Sequence, residues 1–160
     1  MTTKAGDRLP AGKFRVMTAG GPQDMTTDQL FSGKRVLLVS VPGAFTPTCH
    51  AKHLPGYVDR FDELKRHGID TIAFMAVNDV FVMDAWGKAS GAGDRILMLA
   101  DGNGDYARAL GLEVDLSAAG LGMRGKRFAL VAMDGVVEQL NLESAGEFKV
   151  SGAGQMLCQL

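Results

Sequence analysis

The sequence lacks the features that mark several classes of protein. It has only two cysteines, Cys49 and Cys158, which excludes a framework of several disulfides. That usage suits a reducing compartment, so a cytoplasmic protein is expected. Neither sign of charge dominates: 17 basic residues face 18 acidic ones. Nothing therefore draws the whole chain to nucleic acid or to anionic lipid. The basic residues near 34–35 and 124–127 read as solvated loop charges. Long apolar runs are missing too. Val36–Val41 and Ile72–Val77 are the longest, at about six residues, against the roughly 20 a membrane helix needs. The opening stretch MTTKAGDRLP has no apolar segment of the kind found in a secretory signal.

What is present fits one compact domain over residues 1–160. Apolar residues make up 46% of the chain and charged ones 22%, a composition that builds a core rather than a disordered segment. The 21 glycines fall between periodic segments and punctuate the domain. Arg35–Val41 is a β-branched and leucine run bounded by Gly33 and Pro42, which reads as a buried central strand. Thr46 and Pro47 then look like the N-cap and first residue of a helix. That helix carries Leu54, Tyr57, Val58, Phe61 and Leu64 at helical spacing and stops at Gly68. Further strands are expected at Thr71–Val77 and Ile96–Ala100. A helix capped by Asn78 or Asp79 runs through Val82, Ala85 and Trp86, and a short one lies around Tyr106–Leu110. Phe128–Met133 and Val136–Leu142 flank Asp134-Gly135 as a hairpin, and Gly154–Leu160 is a terminal helix. The order β-α-β-α-β-α-β-β-α predicts an α/β fold with a mixed sheet and covering helices.

Chemistry concentrates in Val41-Pro-Gly-Ala-Phe-Thr-Pro-Thr-Cys-His50. This stretch joins the C-terminal end of a central strand to a helix N-terminus, where open α/β sheets bind ligands. Cys49 falls in the first helical turn, whose free amides and dipole favour a negative charge and hence a thiolate. A lone cysteine is more often a small buried apolar residue; the flanking Pro42, Thr46 and helix start argue for a nucleophile. Cleaving a peroxide needs a thiolate in line with one oxygen, hydrogen-bonding groups on the O–O bond, and restricted water. Cys49 supplies the sulfur, Thr46 a hydroxyl, and Pro42 a wall that does not compete for hydrogen bonds. A guanidinium would complete the set.

Pro42, Thr46 and Cys49 match the P-x-x-x-T-x-x-C motif of the peroxiredoxins. The strings PGAFTPTC, KHLPGYV, AVNDVFVMDAW and GKRFALVAMDG resemble the type II, or peroxiredoxin-five, subfamily, and the likeness runs over residues 4–160. The resemblance implies a thioredoxin-like fold, a peroxidatic Cys49, a supporting Thr46, a shielding Pro42, and an arginine at the start of a late strand. Arg127 is the better match to that arginine and Arg124 the alternative. It further implies a homodimer, with Phe45, Phe81 and Trp86 as candidate contacts. The second, resolving cysteine of the family is missing from both its usual places, which are Phe74 and the neighbourhood of Val150 in this chain. Cys158 lies beyond either and is read as an ordinary residue of the terminal helix.

Other signals weigh less. Gly120–Lys126 spells a glycine-rich phosphate motif, but it precedes a strand instead of opening a helix. Cys49, His50 and His53 lack a fourth ligand for structural zinc, so neither metal nor cofactor is expected. His53 is read as ordering the helix start, and His67 as a surface residue at a helix end. Met75, Met98 and Met133 are assigned to the core. The resulting expectation is a thiol peroxidase acting on hydrogen peroxide and organic hydroperoxides through a Cys49 sulfenic acid. An external thiol, from glutathione with glutaredoxin or from thioredoxin, would complete turnover. The rival reading is a thioredoxin-fold redox sensor or partner-binding module.

Overall fold

The computed structural model describes residues 2–160. Among these residues nine strands and six α-helices follow one another. They are β1 Lys13–Thr18, β2 Gly21–Thr26, α1 Thr27–Phe31, β3 Arg35–Ser40, α2 Leu54–Asp59, α3 Phe61–Arg66, β4 Thr71–Ala76 and α4 Val80–Ala89. After these come β5 Leu97–Ala100, α5 Asp105–Leu110, β6 Glu113–Asp115, β7 Met123–Gly125, β8 Phe128–Met133, β9 Val136–Leu142 and α6 Ala153–Gln159. Seven strands make one mixed sheet in the order β2-β1-β5-β4-β3-β8-β9. Parallel pairing joins β3 to β4 and β4 to β5, and the other pairs are antiparallel.

The expected α/β, thioredoxin-like arrangement of a central mixed sheet between helices is what the chain forms. Its central strands are buried on both faces, and strand periodicity divides their side chains between two cores. Leu37, Val39, Phe74, Ala129 and Val131 pack on one side with Leu54, Tyr57, Trp86 and Met156 from the helices. Val36, Leu38, Met75, Phe128 and Leu130 pack on the other with Leu30, Tyr106 and Leu110. Cys49 belongs to the first core.

Several parts differ from the sequence reading. The N-terminal hairpin β1–β2 pairs through Lys13–Thr26 to Thr18–Gly21, although neither strand shows an apolar run. Both are peripheral: β1 buries only Phe14 and Val16, and β2, the edge strand, has no buried residue. The small sheet β6–β7 is likewise too short for a periodic signature. Met133 is 47% exposed at the end of β8, not a core residue, because the strand has reached its turn. Trp86 is fully buried and so belongs to the core and not to a surface contact.

The long helix expected from residue 47 to Gly68 is broken. Helical structure starts at Pro47, widens into a π-turn over Cys49–His53 and resumes as α2, and Arg60 separates α2 from α3. The Leu54 amide donates to the Cys49 carbonyl, five residues back. Pro55 accounts for the widening. It has no N–H for the Ala51 carbonyl, and its ring would strike that carbonyl in a regular α-turn.

Candidate active site

β3 delivers the chain to the site, and the loop after it is fixed from two directions. The Ala44 amide donates to Asn78 Oδ1 at 2.9 Å, just beyond the parallel neighbour β4. From the other side Arg124 Nη1 donates to the Pro42 carbonyl at 3.1 Å, and its Nε donates to the Leu121 carbonyl at 2.8 Å. Gly43 gives this arginine room, since a Cβ there would lie 2.9 Å from Arg124 Nη1 and 3.1 Å from Thr46 Cγ2 and would push the guanidinium aside. Phe45 adopts a left-handed φ of 63°, an uncommon conformation for a bulky residue and one that marks strain in the loop.

Thr46 precedes the helix as expected, but its hydroxyl does not cap the helix. It donates to the Gly43 carbonyl at 2.7 Å, which closes the turn and leaves the Thr46 oxygen as an acceptor toward a substrate. The first helical bond runs from the His50 amide to the Thr46 carbonyl, 2.8 Å. Asp79, not Asn78, caps α4 by accepting from the Val82 amide at 2.9 Å.

Cys49 is buried, and Arg127 Nη2 donates to its sulfur at 3.0 Å. The same guanidinium places Nη1 at 2.7 Å from His53 Nδ1 and lies over the Phe148 ring, 5.8 Å from its centroid. Arginine has no acceptor, so His53 Nδ1 must accept and its proton must sit on Nε2. That nitrogen then donates to the Ser151 carbonyl at 2.9 Å. Burial pushes the His53 pKa down to about 3, and the Arg127 charge pushes the same way against the Ser151 bond. His53 is thus a neutral imidazole that holds an arginine; it does not order the helix start. Cys49 and His53 converge on one guanidinium. His50 is exposed and accepts from the Trp86 indole at 3.1 Å.

Of the four predicted residues, Cys49 in the π-turn and Arg127 just before β8 meet directly, Pro42 and Arg127 line one cleft, and Thr46 sits in the turn that leads into the Cys49 helix. Between the two arginines the structure distinguishes cleanly: Arg127 meets the sulfur, whereas Arg124 braces the loop. A cleft of about 580 Å³ opens beside them, lined by Pro42, Thr48, Val114, Leu116, Arg127 and Ala145 among others. The glycine motif at 120–126 is a turn into β7, with left-handed Gly120 and Gly122, and no helix follows it. Among the described residues no cluster of three or more His, Cys, Asp or Glu side chains is placed to hold a metal.

Comparison with known proteins gives this geometry its family. The profile of the Redoxin family matches residues 4–157. The chain belongs to the redoxins, as a peroxiredoxin. It is 47% identical over 156 residues to the chloroplastic peroxiredoxin-2E of Arabidopsis thaliana, covering 95% of this chain and 67% of that one. Identity to Arabidopsis peroxiredoxin-2B is 46%, over 95% and 94% of the two chains. Its structure is similar to that of reduced Prx3 from Vibrio vulnificus in complex with hydrogen peroxide, with a TM-score of 0.95, 45% identity and 99% of each chain covered. The activity is that of a thiol peroxidase.

In this peroxiredoxin the two places implied for a resolving cysteine hold Phe74 and Val150. Phe74 is fully buried among aromatic rings, 5.3 Å from Tyr57, 5.6 Å from His53 and 6.1 Å from Trp86 between centroids. Both cysteines are free thiols, and Cys158 is exposed on α6. Sequence reasoning missed Phe148, which lies against the Arg127 guanidinium, Ser151, whose carbonyl accepts from His53 and Tyr57, and Glu143, which accepts from the Lys149, Val150 and Ser151 amides. Asn78 carried a signal, a short polar side chain directly after a strand. Glu143 carried none, because its partners are backbone amides further along the chain.

Proposed function

We propose that Cys49 is the peroxidatic residue and that Thr46 and Arg127 orient the hydroperoxide across it. The observation that carries this reading is the 3.0 Å contact between Arg127 and the buried Cys49 sulfur. The thiolate attacks the terminal oxygen of ROOH; an S–O bond forms as the O–O bond breaks. The leaving alkoxide takes up the proton that Cys49 released on ionising, giving an alcohol and a Cys49 sulfenic acid. Thr46 Oγ1 accepts the O–H of the attacked oxygen, and Arg127 donates to the leaving oxygen as its charge develops. Pro42 keeps a competing amide away from the sulfur. The apolar part of the cleft, Val114 and Leu116, leaves room for the organic portion of an alkyl hydroperoxide, so both hydrogen peroxide and organic hydroperoxides are substrates in this reading.

An external thiol then completes the cycle. It condenses with the sulfenic acid, releasing water and forming a mixed disulfide, and a second thiol displaces Cys49 as thiolate. With aromatic Phe74 and Val150 where a resolving cysteine is expected, glutathione with glutaredoxin is our first choice of reductant and thioredoxin the second. Steady-state peroxide consumption with the two systems side by side tests this, and faster turnover with thioredoxin alone reverses the choice. We further infer a homodimer through the face carrying Phe45 and Phe81, which are 47% and 65% exposed. A reducing compartment, the cytoplasm, is the proposed location, because the cycle consumes thiols; cell fractionation tests it.

A further inference from the structure

The peroxidase mechanism uses Arg127 but leaves unexplained what holds it. Among the described residues, the His53 imidazole and the Cys49 sulfur are the hydrogen-bond partners of its two terminal nitrogens. His53 in turn is anchored by the Ser151 carbonyl, which also accepts from the Tyr57 hydroxyl at 2.6 Å. Ser151 is not in a regular element; it lies in the connection between β9 and α6. A backbone carbonyl in such a segment holds a ring in register only if the segment itself is fixed.

Glu143 fixes it. This carboxylate, 8% exposed at the end of the β9 strand, accepts from three successive amides of the connection. Lys149 N lies 2.9 Å from both of its oxygens, and the Val150 and Ser151 amides lie 2.8 Å from Oε2. The Ser151 hydroxyl adds a fourth donor at 2.7 Å. The Glu143 amide meanwhile donates to the Arg127 carbonyl at 3.0 Å, so the carboxylate is tethered to the residue whose side chain it indirectly supports. Among the described residues no other carboxylate accepts from four donors, and Ser151 and His53 link this one to the Arg127 guanidinium.

We propose that Glu143 is a positioning residue for peroxide reduction, acting through Ser151 and His53 to hold the Arg127 guanidinium on Cys49. The inference rests on the peroxidase reading above. Removing the negative charge leaves the amides of Lys149, Val150 and Ser151 competing for fewer acceptor lone pairs, so the segment shifts. The Ser151 carbonyl shifts with it, His53 loses its fixed tautomer, and Arg127 departs from the geometry the transition state needs. Small displacements of an orienting group cost large factors in rate.

The test compares wild type with Glu143→Gln, which keeps the shape and loses the charge. Two quantities are measured at 25 °C, far below unfolding: the second-order rate of Cys49 oxidation by hydrogen peroxide, and the His53 tautomer from ring ¹⁵N shifts. Wild type should show the Nε2–H form. Glu143→Gln should lose on the order of ten- to 10²-fold in rate and show mixed tautomers. Ser151→Ala, a milder change that removes one donor, should lose roughly threefold, as expected for one weakened hydrogen bond, and it serves as the test if Glu143→Gln does not fold. A lower melting temperature with unchanged rate and tautomer would make Glu143 merely structural and overturn the proposal. A wild type that does not react with peroxide would overturn the peroxidase reading instead.

Discussion

Arg127 Nη2 stands 3.0 Å from Cys49 Sγ, although the two residues come from different elements and are far apart in the chain. A fixed guanidinium so placed confronts both the attacking sulfur and any oxygen that leaves it. Burial of the sulfur strengthens the interaction by lowering the local dielectric.

Replacing the sulfur should therefore end catalysis. Cys49→Ser substitutes a hydroxyl that stays protonated at neutral pH, so peroxide consumption should fall to background while the circular dichroism spectrum is unchanged. Activity at even a tenth of wild type would remove Cys49 from the mechanism.

The two arginines should behave differently. Arg127→Gln should lose on the order of 10²–10³-fold in rate, the range for deleting a preorganised oxyanion donor. Arg124→Gln removes the brace on the Pro42 carbonyl and should cost less. Equal kinetics for Arg127→Gln and wild type, with an inactive Arg124→Gln, would exchange their roles.

The sequence made this site legible because its first residues lie within one loop. Pro42, Thr46 and Cys49 occupy a strand-to-helix junction whose strand is a continuous apolar run, and Pro47 marks the helix start. The central strands were equally clear, being buried on both faces. The hairpin β1–β2 was not, because β1 alternates through only two buried residues, Phe14 and Val16, and β2 buries none. Nor was the π-turn, which depends on Pro55 acting on a carbonyl four residues before it. The support of Arg127 is longer-range still. His53, Ser151 and Glu143 meet only after β8 and β9 have paired and the connection has folded back over them.

His53 also predicts how stability depends on pH. Its folded pKa is about 3, below the ordinary histidine value near 6.5, so the unfolded chain binds the proton more readily. Stability due to this group is present above about pH 6.5 and is lost as pH falls toward 3, at about 1.4 kcal/mol per pH unit within that window. Burial pushes the Glu143 carboxyl up, but the donors around it together outweigh that and hold it below the usual value, which adds a loss beginning lower, on acidification through the ordinary carboxylate range. Urea midpoints measured from pH 7 to pH 4 should fall for wild type and fall less steeply for His53→Gln. Parallel curves would mean that His53 is not buried neutral.

The proposed dimer should persist at micromolar concentration and depend on the exposed aromatics. Sedimentation of wild type should give twice the monomer mass, and Phe45→Ser with Phe81→Ser should shift it toward monomer. Trp86 is excluded from this role by its burial. A monomeric wild type at high micromolar concentration contradicts the assembly.

Cys158 should be dispensable. A disulfide needs Cα atoms within about 7 Å, and Cys49 is buried in the core at the start of the π-turn while Cys158 is exposed on α6. Bridging them within one chain would require the turn to unwind and the terminal helix to fray. Cys158→Ser should keep most glutathione-supported turnover. Loss of that turnover, with a Cys49–Cys158 peptide dominating the oxidised protein, would make this a two-cysteine enzyme.

The most direct measurement is the mass of the protein after a single turnover. Wild type given one equivalent of hydroperoxide, then digested and sequenced by mass spectrometry, should carry one added oxygen on Cys49, trapped by a sulfenic-acid reagent. Glutathione added in place of the reagent should convert that species to a Cys49–glutathione adduct. Peroxide consumed with Cys49 unmodified, the oxygen being found on Cys158 or a methionine, would contradict the account.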